Sequence, residues 1–345
     1  MECSRCDAPA VLTQRYSGQH LCERHLRESV GSRVTGRIRE DGLLASDDET
    51  WVVGLSGGKD SSVLLEVLAD TFREDPRVEL VALTLDEGIE GYRDDAVRGA
   101  ERLADELGVR HEVVAFEDEF GVRVDDEVEA HVAGGGAAGA DAADGDGDSG
   151  GSGTGGKHCA YCGVFRRTAL NRHAERLGAT KLLTGHNLDD VAQTALMNLL
   201  DGDVDRMARH YRASLSPRSE AGQHEGTDPA ASAPSDGFVR RAKPLRDVPE
   251  KEVAVYAQLA DLPVHMEECP NAEGATRGHV RDLLLSYEEQ HPGTRHSIVS
   301  AYEELGERLD WDGAAEADGV SPCVDCGEPT AGERCRACAM LDEVA

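Results

Sequence analysis

Basic residues are scarce in this 345-residue chain: 36 Lys and Arg stand against 67 Asp and Glu, a formal net charge of −31. A chain this acidic lacks the general cationic surface that draws polyanions, because like charges repel. Long hydrophobic runs are missing too; none approaches the roughly 18–20 apolar residues needed to cross a bilayer as a helix. The opening stretch from Met1 to Cys6 has no apolar segment of the kind that directs export. A cytoplasmic protein with no membrane partner is therefore the expectation. Acid spread over the whole sequence, with more Arg than Lys, fits a halophilic protein from a very salty cytoplasm. At molar salt the Debye length falls to about 3 Å, so local clusters say more about binding than net charge. Two clusters stand out: Arg166, Arg167, Arg172, His173 and Arg176, then Arg240, Arg241, Lys243 and Arg246. Each reads either as an RNA contact or as an ion-pair partner of the surrounding acid.

Ten cysteines in a cytoplasmic chain point to metal or redox chemistry and not to a disulfide framework. Cys3-x2-Cys6 and Cys22-x2-His25 make one set of four near the N-terminus, with Cys323-x2-Cys326 and Cys335-x2-Cys338 a second near the C-terminus. Paired knuckles of this kind aim four ligands at one point, which suits a closed, structural Zn²⁺ site. Segments so short cannot bury a core of their own, so metal binding would supply much of their folding free energy. Three cysteines remain: Cys159, Cys162 and Cys269.

The length allows one sizeable α/β core plus small appendages. An apolar strand at Trp51–Leu55 runs into Ser56-Gly57-Gly58-Lys59-Asp60-Ser61, after which Val63, Leu64, Leu65, Val67 and Leu68 mark a helix. Adjacent glycines let backbone N–H groups approach an anion, and the helix adds its positive end. This is a phosphate cradle, though not the G-x-x-x-x-G-K-[ST] pattern. Strands are expected at 78–85, 111–116 and 181–184, with helices at 26–44, 94–107, 163–177, 189–200, 249–262, 277–289 and 295–309. Strand–helix alternation argues an α/β fold, a parallel sheet covered on both faces, with ligands at the carboxyl ends of its strands. Segments 133–156 and 214–236, rich in Gly, Ala, Asp, Ser and Pro, read as disordered insertions.

Cys159-Ala-Tyr-Cys162 is expected to open a helix beside Arg166 and Arg167, surroundings that lower thiol pKa values. A [4Fe–4S] cluster normally takes four thiolates; three leave one iron open. A redox disulfide between Cys159 and Cys162, or a persulfide carrier with Cys269 an ordinary buried thiol, is the alternative.

The Ser56–Ser61 segment resembles the pyrophosphate loop of the ATP pyrophosphatase (PP-loop) superfamily. With Gly185-His-Asn-Leu-Asp-Asp190 and the cysteine sets in order, the chain looks like the tRNA 2-thiolation family. That family includes TtuA and the archaeal and eukaryotic wobble-uridine thiolases, and the resemblance covers all but the two insertions. It implies an adenine-nucleotide hydrolase-like core at 51–265, flanked by zinc ribbons at 1–28 and 320–345, a connecting helix at 29–50 and a helical extension at 266–315. It implies ATP at Gly54, Ser56, Gly57, Gly58, Lys59, Asp60 and Ser61, with Thr84 near the adenine and Gly185 and Asp190 completing the site. It further implies Mg²⁺, two Zn²⁺, and a [4Fe–4S] cluster on Cys159, Cys162 and Cys269 whose free iron takes sulfide from a ubiquitin-like sulfur carrier. Arg166 would stand near ATP and the substrate uridine; a homodimer is a further expectation.

The implied reaction is an ATP-dependent tRNA sulfurtransferase step: adenylation of a uridine C2 oxygen, then its replacement by sulfur, with wobble U34 the preferred position. Thiolation at U54, a cytidine 2-thiolase and an amidotransferase-type synthetase are alternatives on the same fold. A silent zinc-ribbon scaffold is a fourth, against which the intact loop and the leftover cysteine trio both speak.

Overall fold

The computed structural model describes residues 1–128, 154–214, 239–267, 269–272, 276–309, 321–330 and 332–344. The two expected insertions fall outside these, apart from 154–156 and 214 at their edges. The chain opens with the hairpin β1 (Leu12–Gln14) and β2 (Gln19–Leu21), followed by α1 (Glu23–Glu40). The central region runs β3 (Glu49–Gly54), α2 (Lys59–Phe72), β4 (Val78–Asp86), α3 (Arg93–Leu107), β5 (Arg110–Ala115) and α4 (Phe116–Phe120). Then come α5 (Thr154–Arg176), β6 (Lys181–Thr184), α6 (Leu188–Asp201), α7 (Val204–Ser214), β7 (Arg240–Ala242) and α8 (Glu250–Leu259). The last elements are α9 (Thr276–Gln290), α10 (Thr294–Arg308), β8 (Ser321–Pro322), β9 (Pro329–Thr330) and α11 (Arg336–Val344).

Strands β3 to β7 form one parallel sheet in the order β5-β4-β3-β6-β7. Side chains alternate across a strand, and β3 shows both outcomes. Trp51 and Val53 join Val30 of α1, Val63 and Leu64 of α2 and Val253 of α8 on one face. Val52 joins Val81, Leu182 and Ala174 of α5 on the other. Covering helices on both faces explain why the central strands β3, β4 and β6 read as largely apolar runs. On a third apolar surface, Leu188 and Val191 of α6 meet Val280 of α9 and Val299 and Tyr302 of α10.

Among the described residues, no helix is long and apolar enough to cross a membrane. Helices α4 and α11 are not among the expected elements, and three further elements depart from expectation. Strand β7 has one apolar residue and no alternation to betray it; it is held by its register with β6, where Arg241 pairs Leu182. Helix α7 precedes the second low-complexity stretch and carries Met207, Ala208 and Tyr211 as its buried side. Helix α5 begins at Thr154 and not at Gly163.

Both basic clusters are largely engaged inside the protein. Arg246 is buried against Asp41 at 2.8 Å, Arg240 donates to the Asp41 carbonyl, and Arg241 donates to Asn171 and the Arg167 carbonyl. On α5, Arg172, His173 and Arg176 all converge on the Glu119 carboxylate at 2.9–3.0 Å. Burial opposes ionisation of Glu119, yet hydrogen bonds from Arg176, Arg172 and His173 outweigh it and hold the carboxyl down at about 2. Because this lies below the ordinary glutamate range, the contribution to stability is complete above about pH 4.5 and is lost as pH falls towards 2. Glu119→Gln should therefore lower stability at pH 7 by roughly 1–2 kcal/mol, after discounting for solvent screening. Thermal melts of variant and wild type should converge as pH drops through that window. A gap of constant size down to pH 3 would assign the effect to packing instead.

Candidate active site

The sheet reverses its winding between β3 and β6, the position where parallel α/β sheets open a crevice at their carboxyl ends. The turn after β3 supplies one wall. Gly57 has φ +80°, and a Cβ there would lie 2.2 Å from the Ala96 carbonyl oxygen, so both the backbone angle and the space demand glycine. Gly58 caps α2 without a side chain, leaving that helix's first N–H groups for an anion. The loop is tied internally: Ser61 Oγ accepts from Ser56 N at 3.1 Å and donates to the Gly58 carbonyl at 3.2 Å.

The turn after β6 supplies the facing wall. A Cβ on Gly185 would stand 2.7 Å from Ser61 N, so the two turns touch backbone to backbone. Asn187 caps α6 by accepting from Asp189 N and Asp190 N, while Asp190 accepts from Asn187 N at 3.0 Å, a reciprocal capping box. Asn187 Nδ2 also reaches Asp60 Oδ1 at 2.9 Å, joining the walls. Between them lies a cleft of about 270 Å³ lined by Gly54, Ser56, Asp60, Ser61, Gly185 and Asp190, with Arg166 at its margin. Burial raises the Asp190 carboxyl to about 6; Arg277, 3.7 Å away, opposes the rise and Asp60 adds to it. The helical extension thus reaches the site, for Arg295 also ion-pairs Asp189.

Two expected residues sit elsewhere. Lys59 Nζ lies 2.9 Å from Asp60 and 2.8 Å from Glu250, and its ammonium is turned to these carboxylates instead of lining the cleft. Burial opposes its charge, but Asp60 and Glu250 more than compensate and hold its pKa above the ordinary lysine value. Thr84 is buried, donating to the Leu55 carbonyl at 2.7 Å with His111 Nε2 at 2.7 Å from the same hydroxyl. The cleft wall on β4 is made by Leu83 and Leu85, the opposite phase of the strand, and Thr84 does not line it.

The cysteine trio adjoins the cleft. Cys159 and Cys162 stand on α5, and Cys269 precedes a 3₁₀ turn, Pro270–Ala272, packed on that helix. Cys159 Sγ approaches the Asn271 carbonyl at 3.7 Å, and Arg166 Nη2 donates to Cys162 Sγ at 3.5 Å. The expected lowering of the thiol pKa is not found. Because α5 starts at Thr154, these thiols lie beyond its first turn, where the helix dipole fades. Burial instead pushes Cys162 up to about 12, with Arg166 only partly opposing it, and it raises Cys269 as well. Among the described residues the three thiols do not form a closed single-ion site of the kind the outer quartets make. Their donor chemistry fits an iron–sulfur cluster with one open position.

Motif reading missed Glu87 and Arg93, which line the cleft beside Arg166 on the side of the trio. Glu87, buried at the end of β4, contacts Arg93 at 2.5 Å and Arg166 at 2.8 Å. Breaking a buried ion pair by removing one partner costs about 3–5 kcal/mol. No sequence spacing announces this triad, which is assembled from β4, α3 and α5.

The outer quartets close as expected: in each, the four ligand atoms lie within 4.8 Å of one another. Burial opposes thiolate formation at Cys3 and Cys323, but backbone N–H groups, first those of Arg5 and Cys335, bring both thiols down to about 6. His25 lies in the first turn of α1, presenting Nδ1 to Cys3 at 3.1 Å. The C-terminal ribbon packs on α5, with Tyr161, between the two α5 cysteines, donating to Glu343 and Arg172 meeting Glu328 at 3.4 Å.

Residues 2–27 match the N-terminal LIM domain of 2-thiouridine synthetase TtuA, and residues 28–131 match the PP-loop domain. The chain is 49% identical to the tRNA 2-thiolation protein NcsA of Haloferax volcanii, over 100% of its own length and 99% of that protein. It is 35% identical to cytoplasmic tRNA 2-thiolation protein 1 of Bos taurus, covering 99% and 87%. Among solved structures it is similar to the U34-tRNA thiolase NcsA from Methanococcus maripaludis with its [4Fe-4S] cluster. That match has TM-score 0.75 and 30% identity, over 100% of this chain and 97% of the other.

The touching turns make Gly185 a sensitive position. Gly185→Ala should displace the Ser61 backbone and weaken ATP binding by more than about tenfold, a loss of over 1.4 kcal/mol, measured by calorimetric titration. Undiminished affinity would mean that the nucleotide does not use this loop.

Proposed function

Because this chain belongs to the tRNA 2-thiolation family, we propose that it is an ATP-dependent tRNA sulfurtransferase that converts a uridine to 2-thiouridine. The observation that carries the reading is Arg166, which borders the anion-binding cleft and also hydrogen-bonds Cys162 of the thiol trio. A nucleotide and a sulfur-bearing group would therefore meet across one guanidinium.

A uridine C2 oxygen is a poor leaving group. Its attack on the α-phosphate of ATP makes it an adenylate and expels pyrophosphate. The N–H groups at Gly57, Gly58 and the start of α2 are pre-aimed at that developing charge, and Lys59 joins them by exchanging Glu250 for phosphate. Asp60 and Asp190 are the carboxylates suited to hold Mg²⁺, which would neutralise phosphate charge. Cys159, Cys162 and Cys269 would hold a [4Fe–4S] cluster, which would offer a coordination position to sulfur delivered by a ubiquitin-like carrier. Sulfur adds at C2, and AMP departs with the former uridine oxygen. Leu83, Leu85 and Leu170 keep the cleft wall apolar, which favours sulfur over water as the attacking group.

U34 is the proposed position, supported by the likeness to the Methanococcus maripaludis U34-tRNA thiolase. Zn²⁺ is the metal proposed for both outer quartets, and the cytoplasm of a halophilic cell the proposed location. The reading assigns the nucleotide core to 51–265, ribbons to 1–28 and 320–345, and the remaining helices to connection and extension; a homodimer is its expected assembly.

Mass spectrometry of tRNA fragments from a deletion strain tests this. 2-Thiouridine at position 34 should vanish, and return with the wild-type gene but not with Cys269→Ser. Anaerobically purified wild type should carry about four iron atoms beside two zinc ions, and Cys269→Ser should lose the iron alone. Thiolation that survives deletion, or an active enzyme holding zinc only, would contradict the proposal.

A further inference from the structure

Glu87 is a buried carboxylate that none of these steps uses. Its Oε1 accepts from Arg166 Nε at 2.9 Å, with Nη2 at 2.8 Å, while its Oε2 lies 2.5 Å from Arg93 Nε. Arg93 in turn donates through Nη1 to the Ser56 carbonyl at 2.9 Å and through Nη2 to the Leu85 carbonyl. A continuous line of contacts thus runs from the first residue of the phosphate loop, through Arg93, Glu87 and Arg166, to the Cys162 sulfur.

The charges explain why a carboxylate stands at its centre. Two guanidiniums brought this close repel each other unless an anion lies between them. Arg93 is buried and fixed at several points, whereas the Arg166 side chain is 45% exposed. Loss of the carboxylate would therefore displace the more exposed Arg166 more readily than Arg93. A second tie runs alongside: His265 N donates to the Gly57 carbonyl at 2.9 Å, four residues before Cys269. The loop is therefore braced to both chain segments that carry the trio.

We propose that Glu87 is a positioning residue for tRNA thiolation, holding Arg166 at the junction of nucleotide cleft and thiol trio and fixing the loop to that junction through Arg93. The inference rests on the functional reading above. Glu87 borders the cleft, but both of its carboxylate oxygens are turned to arginines, so its effect passes through Arg166.

The test uses full-length protein purified anaerobically, comparing wild type with Glu87→Gln, Arg166→Gln and the double variant. Glu87→Gln keeps the volume and one acceptor but removes the charge. We expect iron content and ATP affinity within about threefold of wild type, with single-turnover thiolation slowed on the order of 30-fold, as misplacement of an aligned group does. Because Glu87 acts through Arg166, the double variant should be no slower than Arg166→Gln alone, and Glu87→Asp should recover part of the rate. If Glu87→Gln does not fold, the same cycle is run with Glu87→Asp.

Independent, multiplying losses in the cycle would overturn the proposal. So would a parallel fall of iron, ATP affinity and melting temperature, which marks a merely structural residue. Wild-type rates from Glu87→Gln, with wild type itself active, would sink this inference alone. A wild type that makes no 2-thiouridine would sink the functional reading and this inference with it.

Discussion

The site depends on how closely two backbone turns approach. Gly185 meets Ser61 with no room for a methyl group, and Gly57 meets Ala96 in the same way. The first contact packs the turns after β3 and β6 together at the sheet's switch point, and the second seats the phosphate loop on α3. Asn187 then does two jobs, capping α6 and reaching Asp60 across the gap. The two glycine-bearing motifs are thus one structural unit, and the anion site exists only where they touch.

The rest of the chain supports that unit from outside. The extension helices send Arg277 and Arg295 to the two aspartates at the start of α6. The N-terminal ribbon is locked to α8 by Gln14 and Tyr16 on the buried Glu252, joined there by Arg33 of α1, two residues from the carboxylate that holds Lys59. The C-terminal ribbon packs against α5 at Tyr161, between Cys159 and Cys162. Small metal-closed modules are well suited to this, because their folding free energy comes from the metal and does not draw on the central core. The acidic composition shows the same economy: carboxylates such as Glu119, Asp41 and Glu87 engage arginines that the sequence presents as basic patches.

What could be read from the sequence was what local chemistry encodes. The apolar runs of β3, β4 and β6, the Gly57-Gly58 turn and the spacing of the two cysteine quartets each carry their structure in a few neighbouring residues. What could not be read depends on distant partners. Whether Thr84 or its neighbours face the cleft is a question of strand phase, and a strand apolar on both sides gives no sign of phase. Lys59 turns to Glu250, far along the chain, and no local pattern anticipates that. The start of α5 lies in a Gly-rich stretch with low helix propensity, so the sequence pattern places the helix start later and the thiols at its cap. The Glu87 triad joins three separate elements and belongs to no motif.

The central claim is that the cleft joins the uridine oxygen to the α-phosphate before sulfur enters. The most direct measurement follows that oxygen. A tRNA carrying ¹⁸O at C2 of U34, thiolated by the enzyme with ATP and a sulfur source, should yield AMP carrying the heavy oxygen, one atom for each 2-thiouridine formed. AMP without the label, alongside 2-thiouridine, would show that the oxygen leaves by another route and would contradict the account.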